Sequence, residues 1–347
     1  MARYVTHLTA EQPDHNVYTS LIARSNYKAL LDNGVQLQTH SFGDYTFKPH
    51  AVFPSPAAAA VFPDSSSPGP TEWDFIVVTT KALPDRTNDA ELIAPLVGRR
   101  SAIVLIQNGV GVEEPYRTRF PDTPIVSAVT VISAAQISPG TVKQHRWTRI
   151  HLGPYSDSAS SSSSKRTDAS LSGDLERRGL ERANELADYW TRLGGIRDVE
   201  VSDEIGLQLV RWHKLCINAA FNPSAVLSGG RGNADMVRDP ELRIHLAGVM
   251  DEIWAAVPRL LGRPFPDDLA RPERILKSTE RNVGSKPSML LDWEGRRPLE
   301  LEVILGNPVR IARAKGVDLP RMQSLYALLR SMQAMREEAA AVEKGKL

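Results

Sequence analysis

Apolar residues fall into two regimes along this chain, and the switch between them organises everything else. Up to about residue 203 they come in short runs rich in β-branched residues: 17–23 (VYTSLIA), 74–79 (DFIVVT), 101–106 (SAIVLI) and 125–130 (IVSAVT). Runs of that length and composition predict strands, and near-continuous ones predict strands covered on both faces of a parallel sheet. Between them, 26–33, 88–97 and 112–119 have helix length, and 35–38 with 45–48, around Gly43-Asp44, read as a hairpin. Strands alternating with helices predict a doubly wound, Rossmann-like α/β sheet. After residue 203 the strand signals stop. Asp239-Pro240 opens a helix, with Asp as cap and Pro at the first helical position. Leu242, Leu246, Val249, Ile253 and Val257 follow at helical spacing, and Gly262 closes the segment. Residues 298–315 and 321–343 also read as helices, the last with Leu325, Leu328, Leu329 and Met332 as its buried stripe. The expected plan is an α/β domain over 1–202 and an all-α domain over 203–347. A serine-rich insert at about 155–173, with a helix at 174–193 after it, is expected to be a disordered loop within the first domain.

Composition narrows the function classes. The 347 residues carry 42 Lys plus Arg and 41 Asp plus Glu, a net charge of +1. Such a balance gives no electrostatic case for nucleic acid or an anionic membrane as partner. No apolar run approaches the roughly 18 residues of a membrane span, and the first residues lack the apolar core of a signal peptide. Cys216 is the single cysteine, so no internal disulfide forms and a reducing, cytoplasmic compartment is expected.

The chemistry concentrates in Arg211-Trp-His-Lys-Leu-Cys-Ile-Asn-Ala-Ala-Phe-Asn-Pro223. Lys214, Asn218 and Asn222 stand one helical turn apart and form one stripe, while Leu215, Ile217 and Phe221 occupy other faces. Two readings stand on spacing alone. The stripe lines a polar cleft, or it faces solvent with a snorkelling lysine.

This segment resembles the K-x-x-x-N-x-x-x-N-P motif of the ketopantoate reductases (2-dehydropantoate 2-reductases). Three further stretches agree in order: Val77-Val78-Thr79-Thr80-Lys81, Ile106-Gln107-Asn108-Gly109-Val110-Gly111, and Ser288-Met289-Leu290-Leu291-Asp292 with Glu300 beyond it. The resemblance implies hydride transfer from NADPH to a small 2-keto acid or related carbonyl compound. It implies Lys214 as the general acid and Glu300 as the carboxylate that steadies it. Asn108, Asn218, Asn222 and Ser288 would hold the substrate, with Asn108 also beside the nicotinamide. Arg24 would pair with the 2′-phosphate of the cofactor, and Lys81 would flank its adenosine side. Asn233 is a further amide of the same kind. Where the family often has an asparagine three residues before the serine, this chain has Ser285. A homodimer is the expected assembly.

One family feature is missing. The first glycine is Gly34, and no G-x-G-x-x-G precedes it. In the family that loop lets the backbone approach the pyrophosphate at a helix N-terminus. Here the match starts partway along that helix, with Tyr4, Val5 and Leu8 as its inner face and 17–23 as the second strand. Gly109-x-Gly111 follows a strand, but Glu114 stands where a third glycine belongs. Three explanations present themselves: a start at the wrong methionine, a truncated paralogue without reductase activity, or a scaffold recruited to non-redox work such as an isomerase, a cyclase or a ligand-binding pseudoenzyme. The first is the expectation.

Overall fold

The computed structural model describes residues 17–61, 72–156 and 169–344. Tyr4, Val5 and Leu8, and most of the serine-rich insert, lie outside the described residues.

Two sheets form. A parallel pair joins β1 (Ser20–Ile22) to β4 (Ala51–Phe53), with α1 (Tyr27–Asn33) between them in the chain and α2 (Pro56–Ala60) after them. The main sheet runs from β3 (Gly43–Phe47) through β2 (Val35–Thr39), β8 (Thr141–Pro154), β7 (Ile125–Ser138) and β6 (Ala102–Leu105) to β5 (Phe75–Val78), with β9 (Val199–Val201) added on β8. At one end of that order β5, β6 and the start of β7 run parallel. Alternate residues of these strands point to opposite faces. On one face Ile76, Val78, Ile103, Leu105 and Ile125 meet Ala90 and Ile93 of α3 (Asp89–Ile93), and Tyr116 of α4 (Glu114–Arg119). On the other, Val104, Val126 and Leu152 meet Ala183 and Leu186 of α5 (Ala169–Asp188), and Trp190 just beyond it. Helices on both faces make a doubly wound sheet, as the near-continuous apolar runs predict. Among the described residues β5 shares a ladder with β6 alone, and β1 belongs to the separate pair.

The third predicted strand is longer than 125–130. β7 continues to Ser138 and turns back as β8 (Thr141–Pro154), with register shifts near Ile132–Ala134 that bend the hairpin. Its outer part is exposed, and it carries the β2–β3 hairpin (Val35–Thr39 and Gly43–Phe47) on β8.

From residue 204 on the described chain is helical. α6 (Glu204–Leu227) starts at Asp203, whose carboxylate accepts the Gly206 N–H at 2.6 Å. It is followed by α7 (Asn233–Arg238), α8 (Pro240–Leu261), α9 (Pro272–Thr279), α10 (Ser288–Glu294), a π-helical turn at Glu302–Gly306, α11 (Asn307–Ala314) and α12 (Pro320–Lys344). α8 is capped by Asp239 and closed by left-handed Gly262, as read from the sequence. The stripe of α12 needs correction. Leu325 and Leu329 are buried, but Leu328 is exposed; Met322 and Gln333 complete the inner face instead. The Gln333 amide oxygen accepts the Leu299 N–H at 2.9 Å, which is how a polar group comes to be buried there.

Ala82, Val110 and Val112, from the turns that follow β5 and β6, pack into the core of the helical part. The carboxyl ends of β5 and β6 are thereby pressed against α6 and the π turn.

Candidate active site

A crevice outside the carboxyl ends of parallel strands is where open α/β sheets hold ligands. Here the turn Gln107–Gly111 stands at that edge. Val110 N–H donates to Val303 O (2.8 Å), and Asn307 Nδ2 donates to Val110 O (2.9 Å). Gly109 has φ of 90°, and a Cβ on it would meet Val303 O at 2.4 Å. Glycine is required there both by the left-handed backbone and by the close approach.

Clamped this way, the turn delivers Asn108 to Lys214. Lys214 Nζ donates to Asn108 Oδ1 (2.8 Å) and to Thr130 O of β7 (2.7 Å). The Asn108 amide also lies beside Glu300 and favours its ionised form, so it stands between lysine and carboxylate; among the described residues the two make no direct ion pair. Glu300 is buried and accepts the Ala82 N–H at 3.2 Å. Burial pushes its carboxyl above the ordinary range, against the pull of Ala82 N–H, Lys81 and Asn108. Burial likewise pushes Lys214 down to about 8. Arg211, one turn earlier on α6, pushes the same way, and Glu300 pulls it back up. A small polar recess bounded by Gln107, Asn108, Arg211, Lys214 and Asn218 opens at this point.

The other residues singled out in the sequence are distributed around this centre. Asn218 lines the recess. Asn222 continues the stripe but is buried, and its Oδ1 accepts the Met289 N–H at 3.3 Å, at the start of α10. Ser288 is exposed at the first position of α10, where the cap is Pro287 rather than a side chain. Asn233 donates its Nδ2 to Ser285 Oγ (3.2 Å) and its N–H to Ser285 O (2.9 Å), so these two positions face each other. Lys81 is ion-paired with Asp292 of α10, which also binds Arg297 at 3.0 Å. In this structure Lys81 thus reaches across to the helical part. Arg24 lies exposed just past β1 and has no ion-pair partner among the described residues.

Sequence reasoning assigned no role to Arg211, Glu113 or Thr130. The guanidinium of Arg211 donates to Gln107 O (3.0 Å), Gly109 O (2.9 Å), Ala128 O (3.2 Å) and Ser127 Oγ, and pairs with Glu113 at 3.1 Å, all in the interior. Arg211 stands inside the segment that carries Lys214. A cation three residues from a lysine on an apolar helix was the available signal.

A second cleft, of about 200 Å³, lies beside the same edge between the loop after β5 and the start of α4. Its wall combines Ala82, Leu83, Pro84 and Val112 with Thr87, Asn88, Asp89 and Gln107. Apolar surface for a flat ring alongside hydrogen-bonding groups for hydroxyls is a lining that fits part of a nucleotide. Among the described residues no cluster of side chains is suited to a metal ion, and no helix is long and apolar enough to cross a membrane.

Residues 2–157 match the family model "Ketopantoate reductase PanE/ApbA", and residues 206–333 match "Ketopantoate reductase PanE/ApbA C terminal". An uncharacterized protein of Saccharomyces cerevisiae is 27% identical, over 94% of this chain and 89% of its own. A 2-dehydropantoate 2-reductase of a Nostoc species is 25% identical, over 89% and 86%. The crystal structure of 2-dehydropantoate 2-reductase from Methylococcus capsulatus superposes with a TM-score of 0.72 at 30% identity, covering 91% of this chain and 89% of that one. With both halves matched and the strand-then-helix plan in place, the chain belongs to the ketopantoate reductase family.

Proposed function

We propose that this protein is an NADPH-dependent reductase of a small 2-keto acid or related carbonyl compound, with Lys214 as the proton donor. Reducing a carbonyl adds hydride to carbon and leaves an oxygen that must gain a proton. An ammonium that gives up its proton near neutral pH supplies it most readily. The observation that carries the reading is Lys214 itself. Its Nζ is fixed by Asn108 and Thr130, opens on a polar recess, and is pushed down to about 8 by burial and Arg211.

NADPH, when bound, supplies the hydride. The cleft after β5 and β6 would take part of it, Arg24 would meet its 2′-phosphate, and Asn108 would stand near its reactive end. Lys81 joins that set once released from Asp292. Asn218 presents an amide to the substrate from the turn after Lys214. Asn222 acts from behind by pinning the start of α10, and Glu300 holds the Asn108 amide in place.

The test is the pH dependence of keto acid reduction. A donor must be protonated, so kcat is expected to be level below about pH 8 and to fall about tenfold per unit above it. A kcat that stays level through pH 10, where an ordinary lysine (about 10.4) remains charged, would overturn the lowered value, and a kcat unchanged in Lys214→Ala would remove Lys214 from the role.

A further inference from the structure

We infer that Arg211, with Glu113 as its counter-ion, is a positioning residue that sets both the place of Asn108 and the electrostatic surroundings of the Lys214 ammonium. The inference rests on the reading of Lys214 as proton donor and adds residues outside the family motifs.

The geometry is specific. Arg211 belongs to α6, yet its NH1 and NH2 groups bond Gln107, Gly109, Ser127 and Ala128, all on the sheet side of the crevice. Two of those acceptors are the carbonyls on either side of Asn108. A planar guanidinium is rigid, so holding both carbonyls fixes the orientation of the peptide between them and hence the exit direction of the Asn108 side chain. Lysine, a flexible point charge, has no such fork. Glu113 lies behind the guanidinium, with Oε1 accepting from Ser127 Oγ (2.6 Å) and Gln208 Nε2 (3.1 Å). Arg211 and Glu113 are both almost fully buried. Buried ion pairs are poor devices for stability alone, because desolvation offsets much of their attraction. A buried pair that spends its donors on the turn beside the reacting lysine makes sense as positioning.

The charges facing Lys214 are Arg211, on its own helix, and Glu300, from the segment before the π turn; Lys81 and Asp292 stand beyond Glu300. The turn and β7 contribute only the neutral Asn108 amide and Thr130 carbonyl. Arg211 therefore opposes a proton on Lys214 and Glu300 favours one. Such an arrangement holds a lysine between its ordinary value and permanent neutrality.

The experiment is a direct titration of Lys214 by NMR on the full chain with 13C-labelled lysine. Its signal is assigned by its loss in Lys214→Met, and keto acid turnover is measured alongside. Three variants are compared with the parent: Arg211→Lys, Arg211→Met, and Arg211→Met combined with Glu113→Gln, the last to avoid an unpaired buried carboxylate. The parent midpoint is expected near 8. Arg211→Lys should keep that midpoint and lose roughly tenfold or more in kcat, since charge remains and the fork is gone. The double variant should raise the midpoint by about one unit, a tenfold gain in proton affinity. An unmoved midpoint in a folded double variant would overturn the inference and leave the proton-donor reading intact. Undiminished turnover in Arg211→Lys would overturn its positioning half. A parent midpoint at the ordinary lysine value would instead overturn the reading of Lys214 on which the inference rests.

Discussion

Gly109→Ala probes the contact on which the whole site depends. Two costs are legible. The backbone there has φ of 90°, where a side chain costs about 1–2 kcal/mol. The new methyl would also lie 2.4 Å from Val303 O and 2.5 Å from Val303 Cβ, against the π turn that clamps the neighbouring residue. Forcing an extra methyl into such a contact costs about 1–3 kcal/mol. The sum, about 2–5 kcal/mol, is a large share of the ~5–15 kcal/mol that typically keeps a domain folded. Gly43→Ala is the internal control. Its φ is 74°, but an added Cβ there meets nothing within 4 Å, so only the backbone cost applies. Urea unfolding of the two variants with a common slope isolates the contact between the turn and Val303 as their difference, expected at about 1–3 kcal/mol. Keto acid turnover in Gly109→Ala should fall as well, because the displaced turn carries Asn108 away from Lys214. A Gly109→Ala no less stable than Gly43→Ala would refute the clamped turn.

Further outcomes follow from the same geometry. Glu300→Gln keeps an acceptor for Ala82 N–H but removes the charge that pulls Lys214 up, so the basic limb of kcat should shift to lower pH, opposite to the Arg211 double variant. Because burial raises the Glu300 carboxyl, the folded state favours its proton; the penalty for ionising it is felt once pH exceeds the unfolded value of about 4.3, and the Gln variant should show a smaller loss of urea stability over that rise. Asn222→Ala should cost about 0.5–2 kcal/mol in urea unfolding through the lost acceptor at the start of α10; a KM change with unchanged stability would assign it to substrate instead. Arg24→Ala should raise the KM for NADPH roughly tenfold, about 1.4 kcal/mol, with little effect on NADH; equal effects on both cofactors would remove Arg24 from the 2′-phosphate.

Much of this was legible because it is local. β-branched runs bounded by turn residues marked β5 and β6, Asp239-Pro240 marked the start of α8, and the four-residue spacing of Lys214, Asn218 and Asn222 placed them on one stripe of α6. Yet spacing could not say what each amide meets. Asn222 sits on the same stripe as Asn218 but is turned inward onto Met289, a partner 67 residues away. Lys81 reads as a cofactor lysine only from the resemblance of its segment to the family's, and only the packing of α10 against the loop shows Asp292 as its partner. The far half of β7 escaped notice because it is exposed, so no burial pattern marks it. Leu328 falls on the outer side because the inner face of α12 runs through Met322, Leu325, Leu329 and Gln333, and a buried glutamine is invisible to an apolar pattern. Arg211 was missed for the same reason. Its partners are mainly backbone carbonyls, which leave no mark in a sequence.

The most direct measurement of the central claim is NADPH consumption by the purified full chain on adding ketopantoate and a panel of other 2-keto acids, in the parent and in Lys214→Ala. The account predicts consumption that depends on the keto acid and falls by roughly 100-fold or more in the variant, the usual worth of a positioned proton donor. Consumption unchanged in Lys214→Ala, or none with any 2-keto acid in a folded parent, would contradict it.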